Sequence, residues 1–426
     1  MGKVSPGTRD GQQRGDASIL FVGCDIGSEH HAAAIMDPSG TVLEKLPRVF
    51  NTLKGFEFLE QKIDYWVRRT GADTIRLGFE PTGHYWKPLI HYMCNRGVEV
   101  SFIKTTAVKA MRELTDSTPS KNDKRDSVTL AHLLREGKVL KSPPAEGVWR
   151  ELRDLVKYHR RLTRENGALL QRLRTIIETF FPELTGAFCS NKAVGLWRLL
   201  EAAPFPEDLI ARGPEWLRSN LKKWTRRGRS AEEKADLLMK AAAESVGLPV
   251  RRGDRVRLQS LLGLLEHYRE ELRMVEQEME RALMETGYGE ILLSFPGMGV
   301  VTSATFLGEL GDPANFENVN QVVSFAGIDP SERSSGKKES RRKISKKGRP
   351  IMRANIYHMA LGGIRHCPEL KDYYAEHRGM IESGRLNLKP QQLLFAVAIK
   401  EVRILFAMCR DRRPYIPGHL QMKRAA

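Results

Sequence analysis

Residues 18–25 read SILFVGCD and residues 74–80 read TIRLGFE, and each is an apolar run of strand length that ends at an acid. Between them, HAAAIM (31–36) and TVLEKL (41–46) flank the turn DPSG, which predicts a three-stranded meander. A further strand, VEVSFI, is predicted at 98–103, and helical patterns separate the later strands. The first part of the chain is therefore predicted to follow the order β-β-β-α-β-α-β-α.

This order is that of a ribonuclease-H-like α/β fold, in which the first and fourth strands are neighbours in the sheet. Asp25, at the end of the first strand, is therefore expected beside Glu80, at the end of the fourth. A later helix carries Asp123 and Asp126. Their spacing of three places both carboxylates on one face of that helix, about one turn apart.

These four acids lie in a strongly basic chain, which has 69 Lys and Arg against 52 Asp and Glu and a net charge of +17. Such a balance favours a DNA or RNA partner over a small metabolite, the alternative being a solvated cationic surface. Carboxylates are ligands that Mg²⁺ favours, and two ions about 4 Å apart can hold an attacking and a leaving oxygen. Taken singly, each acid could equally be an ordinary surface side chain.

The remaining composition narrows the class of protein further. The five cysteines are scattered, with no CxxC pair and no Cys/His ligand spacing, which argues against a structural zinc site and fits a reducing cytosol. No signal peptide is visible, which together with the scattered thiols favours a cytoplasmic location. The apolar stretch Leu393–Cys409 contains charged residues and is predicted to be a buried amphipathic helix, not a membrane span.

From residue 146 the apolar residues recur at alternating spacings of four and three, which predicts two coiled-coil helices. The first seam contains Val148, Leu152, Leu155, Leu162, Leu169, Leu173, Ile176 and Phe180, and the second contains Leu258, Leu261, Leu265, Tyr268, Leu272, Val275 and Met279. The two helices could pack as an antiparallel pair or bind a second subunit. His159 and Asn166 interrupt the first seam, where they either fix its register or mark an exposed kink.

The last part of the chain carries two candidate nucleic-acid-binding segments. SFPGMGVVTSATFLGELG (294–311) resembles a helix-hairpin-helix, whose turn at Gly297 and Gly299 would direct backbone N–H groups at a phosphate, although it could equally be a plain tight turn. Residues 330–349 form a loop rich in cations and serines between two apolar helices. Its candidate phosphate contacts are Lys337, Lys338, Arg341, Arg342, Lys343, Lys346, Lys347 and Arg349.

At these motifs the chain resembles the insertion-sequence 110 transposases, the DEDD serine recombinases related to the Piv DNA invertase. The matching pieces are VGCDIG, GFEPTG, NDKRDS, FPGMG, FAGIDPSERSSG and ISKKGRPIMR, over 18–136 and 291–410. The chain departs from the family's usual pattern at two positions, Pro81 after Glu80 and Ser127 after Asp126. Neither departure removes a carboxylate.

The resemblance implies a RuvC-like first domain whose Asp25, Glu80, Asp123 and Asp126 bind Mg²⁺. It also implies that the nucleophile is the serine before Gly336, namely Ser335, with Ser334 adjacent and Ser345 more plausibly capping a turn or touching phosphate. Family members act on donor and target DNA as dimers of dimers, and the similar RNA-guided members use a noncoding RNA from the element.

The predicted architecture is α/β followed by α. The domains are a flexible tail (1–17), a RuvC-like domain (18–145), a helical coiled-coil domain (146–290) with an insertion (182–253), a mainly helical transposase domain (291–412) and a basic tail (413–426). The function expected is cutting and rejoining DNA through a covalent phosphoserine intermediate.

Three other functions compete with this interpretation. A RuvC-like junction nuclease would use the four acids and a metal-activated water, without the serine. An actin-like kinase would explain the hairpin VGCDIGSEHHAAAIMDPSG, but a second Gly-rich nucleotide motif is missing from the sequence. A non-catalytic nucleic-acid-binding scaffold would need none of the acids, so Asp25→Ala would leave its activity intact.

Overall fold

The chain forms two compact units, Met1–Ala145 and Glu146–Ala426. The computed structural model describes residues 19–81, 83–115, 123–139, 146–188, 194–224, 231–331, 334–335, 338–339 and 343–418. Among the described residues, helices occur in both units, whereas the five-stranded sheet belongs to the first unit. The predicted combination of a mixed α/β part and a mostly helical remainder is therefore confirmed.

The first unit is built from five strands and four helices in its described residues. They are β1 (Ile19–Asp25), β2 (His30–Met36), β3 (Val42–Phe50), α1 (Leu53–Thr70), β4 (Thr74–Phe79), α2 (Trp86–Cys94), β5 (Glu99–Phe102), α3 (Thr105–Thr115) and α4 (Asp123–Arg135). The predicted order of elements is observed, with α3 as one further helix before α4. The side chain of Thr52 caps α1, since its Oγ1 accepts a hydrogen bond from Gly55 N at 3.3 Å.

The sheet has the order β3-β2-β1-β4-β5. β2 lies antiparallel to both β1 and β3, whereas β4 runs parallel to both β1 and β5. The predicted contact between the first and fourth strands is thus confirmed, with Cys24 opposite Phe79 in the register. The carboxyl ends of β1 and β4 meet at one edge of the sheet.

Side chains that alternate along β1 face two different helical layers. Leu20, Val22 and Cys24 belong to a core that also contains Phe56 of α1 and Leu89 of α2. Phe21 belongs to a separate core formed with residues of α3 and α4. The sheet is therefore covered on both faces, and the face shared with α4 is the one that concerns the acids.

The second unit contains twelve helices, a short 3-10 turn and four two-residue strands in its described residues. The helices are α5 (Gly147–Phe180), α6 (Leu184–Ala187), α7 (Val194–Ala202), α8 (Pro206–Trp224), α9 (Ala231–Ala243), α10 (Arg252–Glu285), α11 (Gly289–Leu293), α12 (Val300–Leu310), α13 (Val319–Ala326), α14 (Pro350–His366), α15 (Pro368–Glu382) and α16 (Pro390–Asp411). The 3-10 turn is Pro313–Asn315, and the strands are β6 (Pro330–Ser331), β7 (Ser334–Ser335), β8 (Lys338–Glu339) and β9 (Lys343–Ile344).

The two heptad-patterned helices, α5 and α10, pack against each other in antiparallel fashion. Tyr158 Oη donates to Glu271 at 3.0 Å, and His159 Nε2 lies 3.1 Å from Glu276 Oε1. The start of α5 shares a core with the end of α10, and the end of α5 shares another with the start of α10. The predicted alternative of a kink at His159 is wrong, because α5 is one continuous helix.

The described residues of the predicted insertion, 182–188, 194–224 and 231–253, form a small helical cluster on one end of this pair. The helices α6 to α9 bury Phe188, Trp197, Leu217 and Leu238 in one core with the adjoining ends of α5 and α10. α8 bends at Gly213, whose φ is 80°, immediately before Pro214. No helix in the described part of the chain is long and apolar enough to cross a membrane.

A buried carboxyl group in α16 supplies a pH-dependent contribution to stability. Glu401 is 1% exposed, both of its carboxyl oxygens lack a hydrogen-bond partner, and burial raises its pKa to about 8. In the unfolded chain this pKa returns to about 4.3, so folding favours the protonated form. The corresponding stability is complete below pH 4 and is lost as pH rises towards 8.

We therefore expect Glu401→Gln to flatten this pH dependence. Between pH 5.5 and 7.5 the free energy of unfolding of the unsubstituted protein should fall by about 2 to 3 kcal/mol relative to that of the variant. Urea unfolding followed by circular dichroism at both pH values measures the difference. Parallel pH profiles for the two proteins would contradict the assignment of a neutral buried carboxyl.

Candidate catalytic site

Asp25 and Glu80 lie at the same edge of the five-stranded sheet. Asp25 is the last residue of β1, and Glu80 directly follows Phe79, the last residue of β4. Asp25 is on the same face as Phe21 and Gly23 because side chains alternate along a strand. That is the face covered by α4, so the two acids adjoin the helix that carries Asp126.

α4 touches β1 two residues before Asp25. A Cβ at Gly23 would lie 2.2 Å from both Ser127 O and Ala131 N, so the close approach of helix and strand requires glycine at this position. At the other end of α4, Arg135 Nη1 donates to Pro38 O at 3.3 Å, beside the turn that joins β2 to β3. α4 therefore runs antiparallel to β1, with its first turn towards the edge that holds Asp25.

Asp126 is carried to this edge by the first turns of α4. It directly precedes Ser127 and is buried, with 8% of its surface exposed. At about 1.5 Å per helical residue and 3.3 Å per strand residue, Asp126 and Asp25 lie a similar distance, about 5 to 7 Å, beyond the crossing at Gly23. Asp123 is the first residue of α4, and its carboxylate lies outside the described side chains.

The described acids have the chemistry of a divalent-cation site, although they do not form a closed one. No group of three His, Cys, Asp or Glu side chains in the described part of the chain is gathered closely enough to hold a metal ion. The donors at this edge, Asp25, Glu80 and Asp126, are all carboxylates, the hard oxygen ligands that Mg²⁺ and Mn²⁺ accept. The donor set therefore fits a divalent ion.

The loop that carries the predicted nucleophile, residues 328–347, is an arm with a closed base. At the base, Pro330 pairs with Ile344 and Ser331 with Lys343, between β6 and β9. Gly327 and Gly348 approach each other so closely that a Cβ on Gly348 would lie 2.3 Å from Gly327 N. Both ends of the arm are therefore held together by backbone contacts.

Ser345 belongs to the base of this arm. Its hydroxyl donates to Asp329 Oδ1, and its amide donates to the Asp329 carbonyl at 2.9 Å. The amide of Lys346 donates to Gly327 O at 3.1 Å. Of the two roles considered for Ser345, capping a turn is the one that the structure supports.

Ser334 and Ser335 form the strand β7, which pairs with β8 inside the arm. Ser335 is opposite Lys338, and Ser334 is opposite Glu339. Ser335 is therefore the inner of the two serines, directly before Gly336 in the sequence. Both hydroxyls lie outside the described side chains, so the backbone gives their order along the arm and nothing more.

Arg349, a predicted phosphate contact, forms an ion pair with another residue of the second unit. Its Nη1 lies 3.6 Å from Oε2 of the buried Glu309 in α12, and its guanidinium lies 4.9 Å from the ring centre of Phe325. Burial lowers the pKa of Arg349, and the Glu309 carboxylate acts in the opposite direction. Arg153 also reaches this point, donating to Gly308 O and Glu309 O at 3.1 and 3.3 Å. Arg349 thus attaches the base of the arm to α12.

The other predicted nucleic-acid contacts are placed as follows. Lys346 and Lys347 are exposed, and Lys346 has a φ of 55°. Lys338 and Lys343 are described only as backbone, in β8 and β9, while Lys337, Arg341 and Arg342 lie outside the described residues. Gly297 and Gly299 lie in the exposed turn between α11 and α12, where Gly297 packs against Gly362 of α14.

Two models of known protein families match this chain. A family model for DEDD transposases of the IS110 type matches residues 22–182, and one described as the transposase IS116/IS110/IS902 family matches residues 289–375. The two matches are independent and together cover more than half of the 426 residues.

The chain belongs to the IS110 family of transposases.

Individual relatives support the assignment over nearly the whole chain. A protein of insertion element IS116 from Streptomyces clavuligerus is 25% identical, over 94% of this chain and 96% of its own length. A protein of insertion element IS110 from Streptomyces coelicolor is 26% identical, over 92% and 94%. A transposase for insertion sequence element IS1111A from Coxiella burnetii is 29% identical, over 42% of this chain and 47% of its own length.

Membership of this family makes the chain an enzyme that acts on DNA, and a DEDD transposase depends on divalent metal. All four acids lie inside the first match, and both candidate serines lie inside the second. One group of exposed cations in the transposase, on α5, did not emerge from the sequence. These cations lie in the run KYHRRLTR (157–164), whose heptad pattern predicts a coiled-coil helix and does not distinguish a basic surface from an ordinary solvated face.

Proposed function

We propose that this transposase cuts and rejoins DNA through a covalent phosphoserine intermediate at Ser335. The observation that carries the proposal is the arm 328–347, which is closed at its base and holds Ser335 at the inner pair of β7 and β8. A short segment with fixed ends can deliver a hydroxyl to a phosphate at low entropic cost.

In the proposed step, the Ser335 oxygen attacks phosphorus. A bond from Oγ to phosphorus forms, one phosphorus–oxygen bond to a deoxyribose breaks, and the serine proton is transferred to the departing deoxyribose oxygen. The intermediate keeps one phosphodiester, so rejoining to another DNA end reverses the step without ATP. A serine hydroxyl is a weak nucleophile and requires activation, for which the exposed cations of the arm provide charge stabilisation.

The carboxylates Asp25, Glu80, Asp123 and Asp126 are proposed to hold Mg²⁺. Bound there, the ion would neutralise charge on the scissile phosphate and orient it. The chain's own contribution is the placement of Asp25 and Asp126 at one sheet edge by the contact of Gly23 with α4.

The finer architecture is also a proposal. A RuvC-like first domain (18–145) is supported by the sheet order β3-β2-β1-β4-β5 with its antiparallel and parallel halves. A coiled-coil domain (146–290) is supported by the antiparallel packing of α5 and α10, and residues 291–412 would form the transposase domain. We further propose that the protein works in the cytosol as a dimer or a dimer of dimers, guided by a noncoding RNA of its element.

Mapping of the covalent adduct tests the serine chemistry. Full-length protein, with the RNA that co-purifies with it, would be incubated with element-end DNA and Mg²⁺, denatured and digested with trypsin. Cleavage after Arg333 and Lys337 isolates SSGK, in which Ser334 and Ser335 are the only candidates.

Fragmentation of this peptide in a mass spectrometer should place the nucleotide on Ser335. A nucleotide on Ser334 would move the nucleophile by one residue. DNA that is cut without any adduct would instead support the junction-nuclease alternative.

A further inference from the structure

The second unit contains an open basic groove whose described lining residues are not part of the arm. It lies between α5, α12 and α14 and has a volume of about 670 Å³. Its α5 wall presents Lys157, Arg160, Arg161 and Arg164, and its α14 wall presents Asn355 and His358. Among the described residues that line the groove, none is Asp or Glu.

The cations of this groove differ in how far they are neutralised. Lys157 Nζ lies 3.8 Å from Asp154 Oδ1, and Arg161 Nε lies 3.1 Å from Glu165 Oε1, so both cations have a carboxylate partner. Arg160 and Arg164 are exposed, and neither has an ion-pair partner among the described residues. These two guanidinium groups therefore remain available to an external anion.

Their spacing suits a ligand with repeated negative charge. Arg160 and Arg164 are four residues apart, so their backbones are separated by about 6 Å along α5. A nucleic-acid strand carries one negative charge on each phosphate, so two guanidinium groups on one face of α5 can each contact a different phosphate of the same strand. Arginine also presents several N–H donors in a planar fork that matches phosphate oxygens.

We propose that this groove binds the phosphate backbone of a nucleic acid, with Arg160 and Arg164 as the principal contacts. A phosphate backbone fits better than an acidic peptide because the opposite wall supplies Asn355 and His358, and histidine can stack on an unpaired base. The binding site is formed by the second unit alone. It is independent of the chemistry proposed for Ser335, and a Ser335→Ala protein should retain it.

The proposal is tested by charge removal with a matched control. The double variant Arg160→Gln/Arg164→Gln removes both groove cations. The control Arg172→Gln/Arg257→Gln removes two exposed arginines of α5 and α10 that lie outside the groove, with the same change in net charge. A third protein, Arg160→Lys/Arg164→Lys, keeps the charge and tests whether the groove variant fails for lack of charge.

Fluorescence anisotropy would measure binding of the full chain to labelled single-stranded RNA, single-stranded DNA and duplex DNA between 50 and 200 mM salt. We expect the groove variant to bind at least one of these probes about tenfold more weakly, with a salt slope smaller by about 1.4 to 1.8. The probe that is affected identifies the nucleic acid. The control and the lysine variant should keep the slope of the unsubstituted protein.

Two results would overturn the proposal. One is unchanged affinity and slope of the groove variant on all three probes. The other is an equal loss in the control, which would mean that only overall charge matters. A labelled poly-glutamate peptide serves as a fourth probe, and a loss confined to this peptide would assign the groove to an acidic protein partner and reject the nucleic acid.

Discussion

A Ser335→Ala transposase is expected to form no covalent adduct with element-end DNA and to lose recombination by at least about a thousandfold. Removal of a covalent nucleophile costs several orders of magnitude, because no neighbouring group supplies the missing bond. The backbone pairing of Ser335 with Lys338 uses no hydroxyl, so the arm should keep its shape. Denaturing gels for the adduct, and a plasmid assay for recombination, measure the two effects.

Ser334→Ala is the matched control, since it removes one hydroxyl from the adjacent residue of the same strand. It should retain adduct formation, and a loss in this variant alone would reassign the nucleophile. Ser345→Ala tests the base of the arm separately. It removes the bond to Asp329 and should lower activity without abolishing the adduct. A Ser335→Ala protein that still trapped DNA would contradict the proposed function.

An Asp126→Asn transposase is expected to lose both DNA cleavage and its stabilisation by Mg²⁺. An ion that binds only the folded state stabilises it by about 2.7 kcal/mol at one hundred times its dissociation constant. Loss of one carboxylate from the site should remove most of this increment. Thermal unfolding with and without 10 mM Mg²⁺ measures it, independently of any reaction.

Glu136→Gln provides the control for Asp126, because Glu136 is exposed and directly follows α4 at its opposite end. This variant should show the same melting-temperature increase with Mg²⁺ as the unsubstituted protein. An equal increase in Asp126→Asn would place the ion elsewhere. Retention of cleavage by Asp126→Asn would show that the acids at this sheet edge do not serve the reaction.

Much of the first unit could be predicted from the sequence because its signals are local. Apolar runs that end at Asp25 and Glu80 define β1 and β4, and the turn DPSG defines the hairpin of β2 and β3. The placement of Asp126 depended on a tertiary contact, the crossing of α4 over Gly23. The sequence indicated that Asp123 and Asp126 share a helix face, but only the fold shows which end of that helix approaches the sheet edge.

The second unit was less predictable because its signals are not local. The two-residue strands of the arm are too short to leave a periodic pattern, so the sequence predicted only a loop rich in cations and serines. The ion pair of Arg349 was not predictable from local sequence, because its buried partner, Glu309, is forty residues away. The described helices within 182–253 are stabilised by contacts with one end of the α5–α10 pair, and these contacts join residues that are far apart in the sequence.

The closure of the arm at Gly327 and Gly348 makes it a self-contained module. Its root is fixed by the close approach of these two glycines and by the main-chain pairing of β6 with β9, while the proposed nucleophile lies beyond that root. Related elements could therefore diversify the tip without rebuilding the helices beneath it. The same property would allow a tip to be transplanted between relatives as a cassette.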